Sequence, residues 1–199
     1  MTARHFSSFR DAITGLSRKM ATNRRASDDV ERPVHHSEIV IIQATLVRPA
    51  DATPYAIGDA IGTAATCLFL FDFGAAGLPS GFITHARLIR EAQTPTAPRF
   101  RGHVHDALPG TLPAADNAPH PQLWANRASR RGWVDFPTPT ASDAADAAAC
   151  LEYAGVLSGS TGGIPFDAAD GIVRMILTTR DAFTPESAKG YCLELGAVA

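Results

Sequence analysis

Two histidines, His103 and His105, flank one valine in a His-Val-His run. On a strand, side chains two positions apart share a face, the arrangement of the metal-ligating histidine pairs of cupins. A cupin-type centre would also need a carboxylate and another histidine. Glu152 and His120 are present, but their spacing does not complete a ligand set. The pair is therefore read as solvated or loop-adjacent histidines on a half-exposed strand. His35 and His36 are neighbours whose side chains diverge on an extended chain, and they read as linker residues. Ser158-Gly159-Ser160-Thr161-Gly162 has the outline of a nucleophile elbow, but Ser158 stands where G-x-S-x-G requires glycine. Neither phosphate-binding glycine motif occurs. Asp143, Asp146, Asp167 and Asp170 lie in loops without the order of a calcium-binding loop and read as a solvated face. The chain is expected to have no catalytic residue, no metal and no cofactor.

Trp124 and Trp133 enclose a segment that holds Arg127, Arg130 and Arg131. Aromatic and guanidinium groups in one loop can stack on bases or sugars, or form the core of a protein interface. In a sandwich one such tryptophan is expected to fill the core and the other to meet a partner. A protein contact through Trp124, Arg127 and Arg130 is the favoured reading.

Composition narrows the class. The 199 residues are 45% hydrophobic and 19% charged, with a net charge of −2. This balance makes no whole-chain case for binding nucleic acid. The charge is uneven: residues 1–36 carry seven Arg/Lys against four Asp/Glu, +3, leaving −5 for the rest. Arg4, Arg10, Arg18, Lys19, Arg24 and Arg25 make this arm basic, and Phe6, Phe9, Ile13, Leu16 and Met20 recur at helical spacing. Residues 21–36 are polar and read as an extended linker. The arm is expected to be extended or partly helical and to contact another subunit through Arg4, Phe6, Phe9, Arg10, Ile13, Arg18, Lys19, Arg24 and Arg25. The odd cysteine count (Cys67, Cys150, Cys192) argues against a disulfide framework and for a reducing compartment. Cys67 and Cys192 are read as buried thiols. Neither a membrane span nor a secretory signal is expected.

From residue 37 onward the pattern is β. Strands are expected over 38–47, 67–73, 82–91, 99–106, 131–136, 152–158, 171–179 and 191–198. The connections between them, 159–165 included, are rich in Pro, Gly, Asp and Asn. Alternation in 82–91 slips as it would at a bulge, and 172–177 is almost continuously apolar, as in a strand covered on both faces. Ala141–Ala149 is expected to form a short helix. The resulting architecture is an all-β sandwich of jelly-roll type over 37–199, preceded by an N-terminal arm.

The most distinctive stretch is Ala44 to Gly62. Pro49 ends the first strand after Arg48, Asp51 and Thr53-Pro54 offer turn chemistry, Tyr55 sits as an aromatic anchor, and Gly58-Asp59 turns again. Leu46, Val47, Arg48, Pro49, Ala50, Asp51, Tyr55, Gly58 and Asp59 make a pattern that resembles a family of tailed-bacteriophage virion proteins. These are small β-sandwiches that decorate or cement the capsid. Ala114-Ala115-Asp116-Asn117-Ala118 and Phe183-Thr184-Pro185 follow in the same order, and the resemblance extends over 39–199. It implies a non-enzymatic protein on the outside of a phage head, assembled in the bacterial cytoplasm. The implied partners are the major capsid protein and further copies of itself, a trimer being favoured, with neither membrane nor direct nucleic-acid contact. A tail- or fibre-associated receptor-binding module and a cupin-like metalloenzyme using His103 and His105 are the alternatives.

Overall fold

The structure, a computed structural model, describes residues 38–91, 97–113, 115–120, 123–137, 139, 150–159 and 162–199, and of the first 37 only four backbone positions. The chain divides into two units, Met1–Ser37 and Glu38–Ala199. In the first, β1 (Thr22–Asn23) pairs antiparallel with β2 (Arg32–Pro33), a short ladder within the stretch expected to be linker. The arm residues Arg4, Phe6, Phe9, Arg10, Ile13, Arg18, Lys19, Arg24 and Arg25 lie outside the described residues, as does the helix expected over Ala141–Ala149.

The second unit is an all-β sandwich of two antiparallel sheets. One has the order β10 (Ile164–Asp167), β5 (Ser80–Glu91), β12 (Gly190–Val198), β3 (Val40–Val47), with β8 (Cys150–Ala154) also on β5. The other runs β4 (Leu68–Asp72), β11 (Ile172–Thr179), β6 (Phe100–His105), β7 (Arg130–Phe136), β9 (Val156–Leu157). The slip anticipated in β5 is a register shift: β12 pairs Gly196 with His85 but Ala197 with Ile83, leaving Thr84 unmatched. The expected strand over 152–158 is divided at Gly155 into β8 and β9, which join different sheets. A Cβ on Gly155 would press on Val134 and Ala86, so glycine lets the chain cross there.

One correction concerns the stretch read as a connection. Ile164 and Phe166 face the core, and Ile164–Asp167 pairs with Ile83–Ser80 as an edge strand that tolerates Pro165.

The interior is aromatic. Phe100 makes edge-to-face contacts with Tyr153, Tyr191 and Phe183, with ring centres 5.5, 5.9 and 6.0 Å apart. Phe69, Phe71, Val173, Met175 and Leu177 fill one face of the second sheet against Leu88, Leu193 and Leu195 of the first. The second sheet also has a covered outer face. There Ala60, Cys67 and Ile176 form a small apolar cluster with Leu68 and Leu112, brought by the connections that follow β3 and β6. This second cover explains why β11 is buried along nearly its whole length.

Candidate functional site

Three groups of side chains could carry function: a buried clasp around Arg48, a histidine cluster under the β6–β7 connection, and the surface turn at Trp124.

The clasp starts where Pro49 forces β3 to stop. Arg48 turns inward and its side chain is fully buried. Its Nε donates to the Tyr55 hydroxyl at 2.6 Å, and that hydroxyl donates to Asp116 Oδ1 at 2.6 Å. Arg48 Nη2 reaches Asp116 Oδ2 at 3.1 Å, and the Gly62 N–H donates to Oδ1 at 2.8 Å. Arg48 Nη1 donates to the Glu186 carbonyl at 2.9 Å. Tyr55 bridges Phe183 through backbone hydrogen bonds and stacks on its ring at 5.2 Å. Burial first, then the hydrogen bond to Asp116, raises the Tyr55 hydroxyl far above its ordinary pKa. Gly58 adopts φ +91°, which a side chain would strain, and lets Asp59 Oδ2 accept the Ala56 N–H at 2.6 Å. Asn117 also has positive φ, the conformation that asparagine tolerates best after glycine. Its N–H donates to the Ala60 carbonyl at 2.9 Å. The three sequence segments that carry the phage resemblance thus meet in one structural knot. Its buried charged groups, Arg48 and Asp116, are held by each other and by backbone.

His103 and His105 do share a face of β6, but the half-exposed reading is corrected: both are buried, at 4% and 1% exposure. The connection after β6 folds over them and brings His120, whose ring lies 4.8 Å from that of His103. Burial, reinforced by the neighbouring histidines, drives His103 down to about 3 and His105, beside His120 and Arg130, down to about 4. All three rings are therefore neutral at pH 7. His105 Nδ1 lies 3.1 Å from Ser129 Oγ, a Ser–His contact that invites a catalytic reading. The Asn126 carbonyl lies equally near Ser129 Oγ, at 3.1 Å, and competes with His105 for the hydroxyl proton. No carboxylate among the described residues orients the other ring nitrogen, Nε2, as a triad requires. Among the described residues no three His, Cys, Asp or Glu side chains are arranged to hold a metal ion.

Beside this cluster is an open concavity of about 340 Å³ lined by Asp106, Leu108, Gly110, Ala128, Ser129 and Arg131. The Asp106 carboxylate at its base is buried, salt-bridged to Arg131, and accepts the Asp167 N–H at 3.2 Å. Asp170, half exposed, is paired with Arg174.

The Trp124 turn is built on the rim of the same connection. Residues Trp124–Ala128 form a single 3-10 turn. Asn126, buried beneath it, donates through Nδ2 to the Thr111 carbonyl at 2.9 Å and accepts the Thr111 N–H at 3.3 Å, fixing the turn to the connection. Trp124 is 78% exposed on this support. Arg127 lies over its ring at 4.4 Å and donates to its carbonyl at 3.0 Å. Trp133 is also at the surface, with Arg101 over its ring at 5.1 Å. The expectation that one tryptophan fills the core is corrected: alternation along β7 directs Val134 and Phe136 inward and Trp133 outward. Arg130 is exposed at the start of β7, near enough to lower the pKa of His105 and His120. Sequence reasoning missed Asn126, weighed His120 beside His103 and His105 only as a metal ligand, and met Asp116 only as part of a motif segment. Their partners lie far away in sequence or in a connection without periodic pattern.

Cys67 is buried as expected, whereas Cys192 is only half-buried, on the outward face of β12. No described helix is long and apolar enough to cross a membrane. Neither the protein-family models nor the curated proteins contain a match to this chain.

Proposed function

We propose that the protein is a non-enzymatic decoration or cement protein of a tailed-phage head, binding the major capsid protein through the Trp124 turn. The observation that carries this reading is a tryptophan exposed to 78% on a turn anchored from beneath by Asn126. An aromatic ring held out rigidly loses little conformational freedom on binding, and Trp and Arg are the side chains that anchor interfaces. The phage resemblance gives the class of partner, and the convergence of its three motif segments on the Arg48 clasp supports treating them as one fold signature. The closed Asp106–Arg131 pair, and the Asn126 carbonyl that competes with His105 for the Ser129 hydroxyl proton, favour a contact protein over a hydrolase.

The test is co-sedimentation of purified protein with phage heads that lack it. Trp124→Ala is expected to weaken binding by about 30-fold, the range of an interface anchor worth ~2 kcal/mol. Because the ring is exposed, the melting temperature should stay within about 2 °C. Undiminished binding by the variant would refute the assignment of this turn.

A further inference from the structure

The free edges of the two sheets are protected unequally. Open strand edges invite pairing with another chain, and proteins blunt them with short strands, proline, charge or bulges. β10 carries Pro165 and Asp167 within four residues. β9 is two residues long. β8 presents Glu152, paired with Arg87 at 2.6 Å. β4 ends after five residues on exposed Asp72. β3 has none of these devices. It is eight residues long, VIIQATLV, without charge or proline, and its register with β12 runs unbroken. Among the described residues no strand pairs with its other side.

The side chains of β3 say what fits there. Ile41 and Val47 point outward and are 57% and 54% exposed. Val40, Ile42, Ala44 and Leu46 face the core yet remain only half-buried, because the sheet stops at this strand. About Ala44 the strand reads alike in both directions: Ile41 answers Val47, Ile42 answers Leu46, and Gln43 answers Thr45. A twofold axis through Ala44 would set two copies antiparallel, with each of these pairs directly opposed and on one face. Aliphatic then meets aliphatic, polar meets polar, the smallest side chain sits on the axis, and no charge faces a like charge.

We propose that β3 is a self-pairing edge through which two copies of this chain join antiparallel about Ala44, merging their sheets into one. The occupant is a second copy because this symmetry has value only for a strand that meets itself. The inference is independent of the capsid reading, and it makes self-association twofold through β3, in place of the trimer favoured from the sequence.

Sedimentation velocity on the full chain tests it. Wild type should sediment as a dimer of the 21.0 kDa chain. Gln43→Lys/Thr45→Lys sets lysine against lysine across the axis at two exposed positions, and should weaken the dimer at least about tenfold with its melting temperature retained. Gln43→Glu/Thr45→Glu should weaken the dimer likewise, with a lower melting temperature because the glutamate at position 43 loses the bond that Gln43 gives Glu194 and faces that carboxylate within the same sheet. An equimolar mixture of the two variants should recover the dimer, because each lysine then opposes a glutamate. A monomeric wild type would overturn the proposal. So would a dimer that persists undiminished in both variants, or a mixture that stays monomeric.

Discussion

Removing the Asp116 carboxylate should destabilise the sandwich more than any surface substitution. In Asp116→Ala, Arg48 Nη2, the Tyr55 hydroxyl and the Gly62 N–H each lose an acceptor at 3.1, 2.6 and 2.8 Å. Arg48 keeps its bond to the Glu186 carbonyl, but its guanidinium stays buried with its principal counter-charge gone. Breaking a buried pair from one side costs about 3–5 kcal/mol. In a domain of this size that corresponds to a fall of about 6–20 °C in melting temperature. Asp51 provides the internal control. It also lies within salt-bridge distance of Arg48, at 3.4 Å, but its side chain is 46% exposed. Asp51→Ala should therefore cost far less than Asp116→Ala. Urea unfolding followed by far-UV circular dichroism is the suitable assay, because both tryptophans lie at the surface and report poorly on the core. Arg48→Met combined with Asp116→Leu should cost about 1–3 kcal/mol less than the sum of the single changes, the signature of direct coupling. If Asp116→Ala cost no more than Asp51→Ala, the clasp would not be what fixes these loops.

Three further outcomes follow from the same geometry. His103 and His105 titrate at about 3 and about 4 in the folded protein, against an ordinary value of 6.5, so the unfolded chain binds the extra protons. Stability should therefore be full above about pH 6.5 and fall steadily toward pH 4, and His103→Gln/His105→Gln should flatten that slope in melts taken between those limits. Gly58→Ala meets no neighbouring atom, so its cost is that of φ +91° alone, about 1–2 kcal/mol, and Gly58→Asn should cost less. Burial pushes the Cys67 thiol up to about 12, so a thiol reagent should label Cys150 and Cys192 well before Cys67 in native protein, as peptide mapping would reveal.

Local pattern and long-range pairing were legible to different degrees. Alternation and turn residues located the strands from Val40–Val47 to Gly190–Val198, the slip in β5, and the two-sided burial of β11. Ile164–Asp167 escaped because Pro165 and the preceding glycines carry the composition of a loop, and only its pairing with β5 makes it a strand. The shared face of His103 and His105 followed from the period of a strand. Their burial did not, because it depends on a connection that folds back over the sheet and brings His120. Arg48 and Tyr55 stood out within one motif, whereas Asp116, 68 residues beyond Arg48, joins them only through the fold. The tryptophans were noticed by type and misplaced in part, since the phase of β7 decides which of its side chains reach the core.

The proposal that the protein is a surface component of a phage head is tested most directly by a cryo-EM map of the particles produced by the genome that encodes the chain. Sandwich-shaped density is expected on the outside of the head, with the Trp124 turn against the capsid protein. Heads of full occupancy that lack the chain, or its density only within the tail, would contradict it.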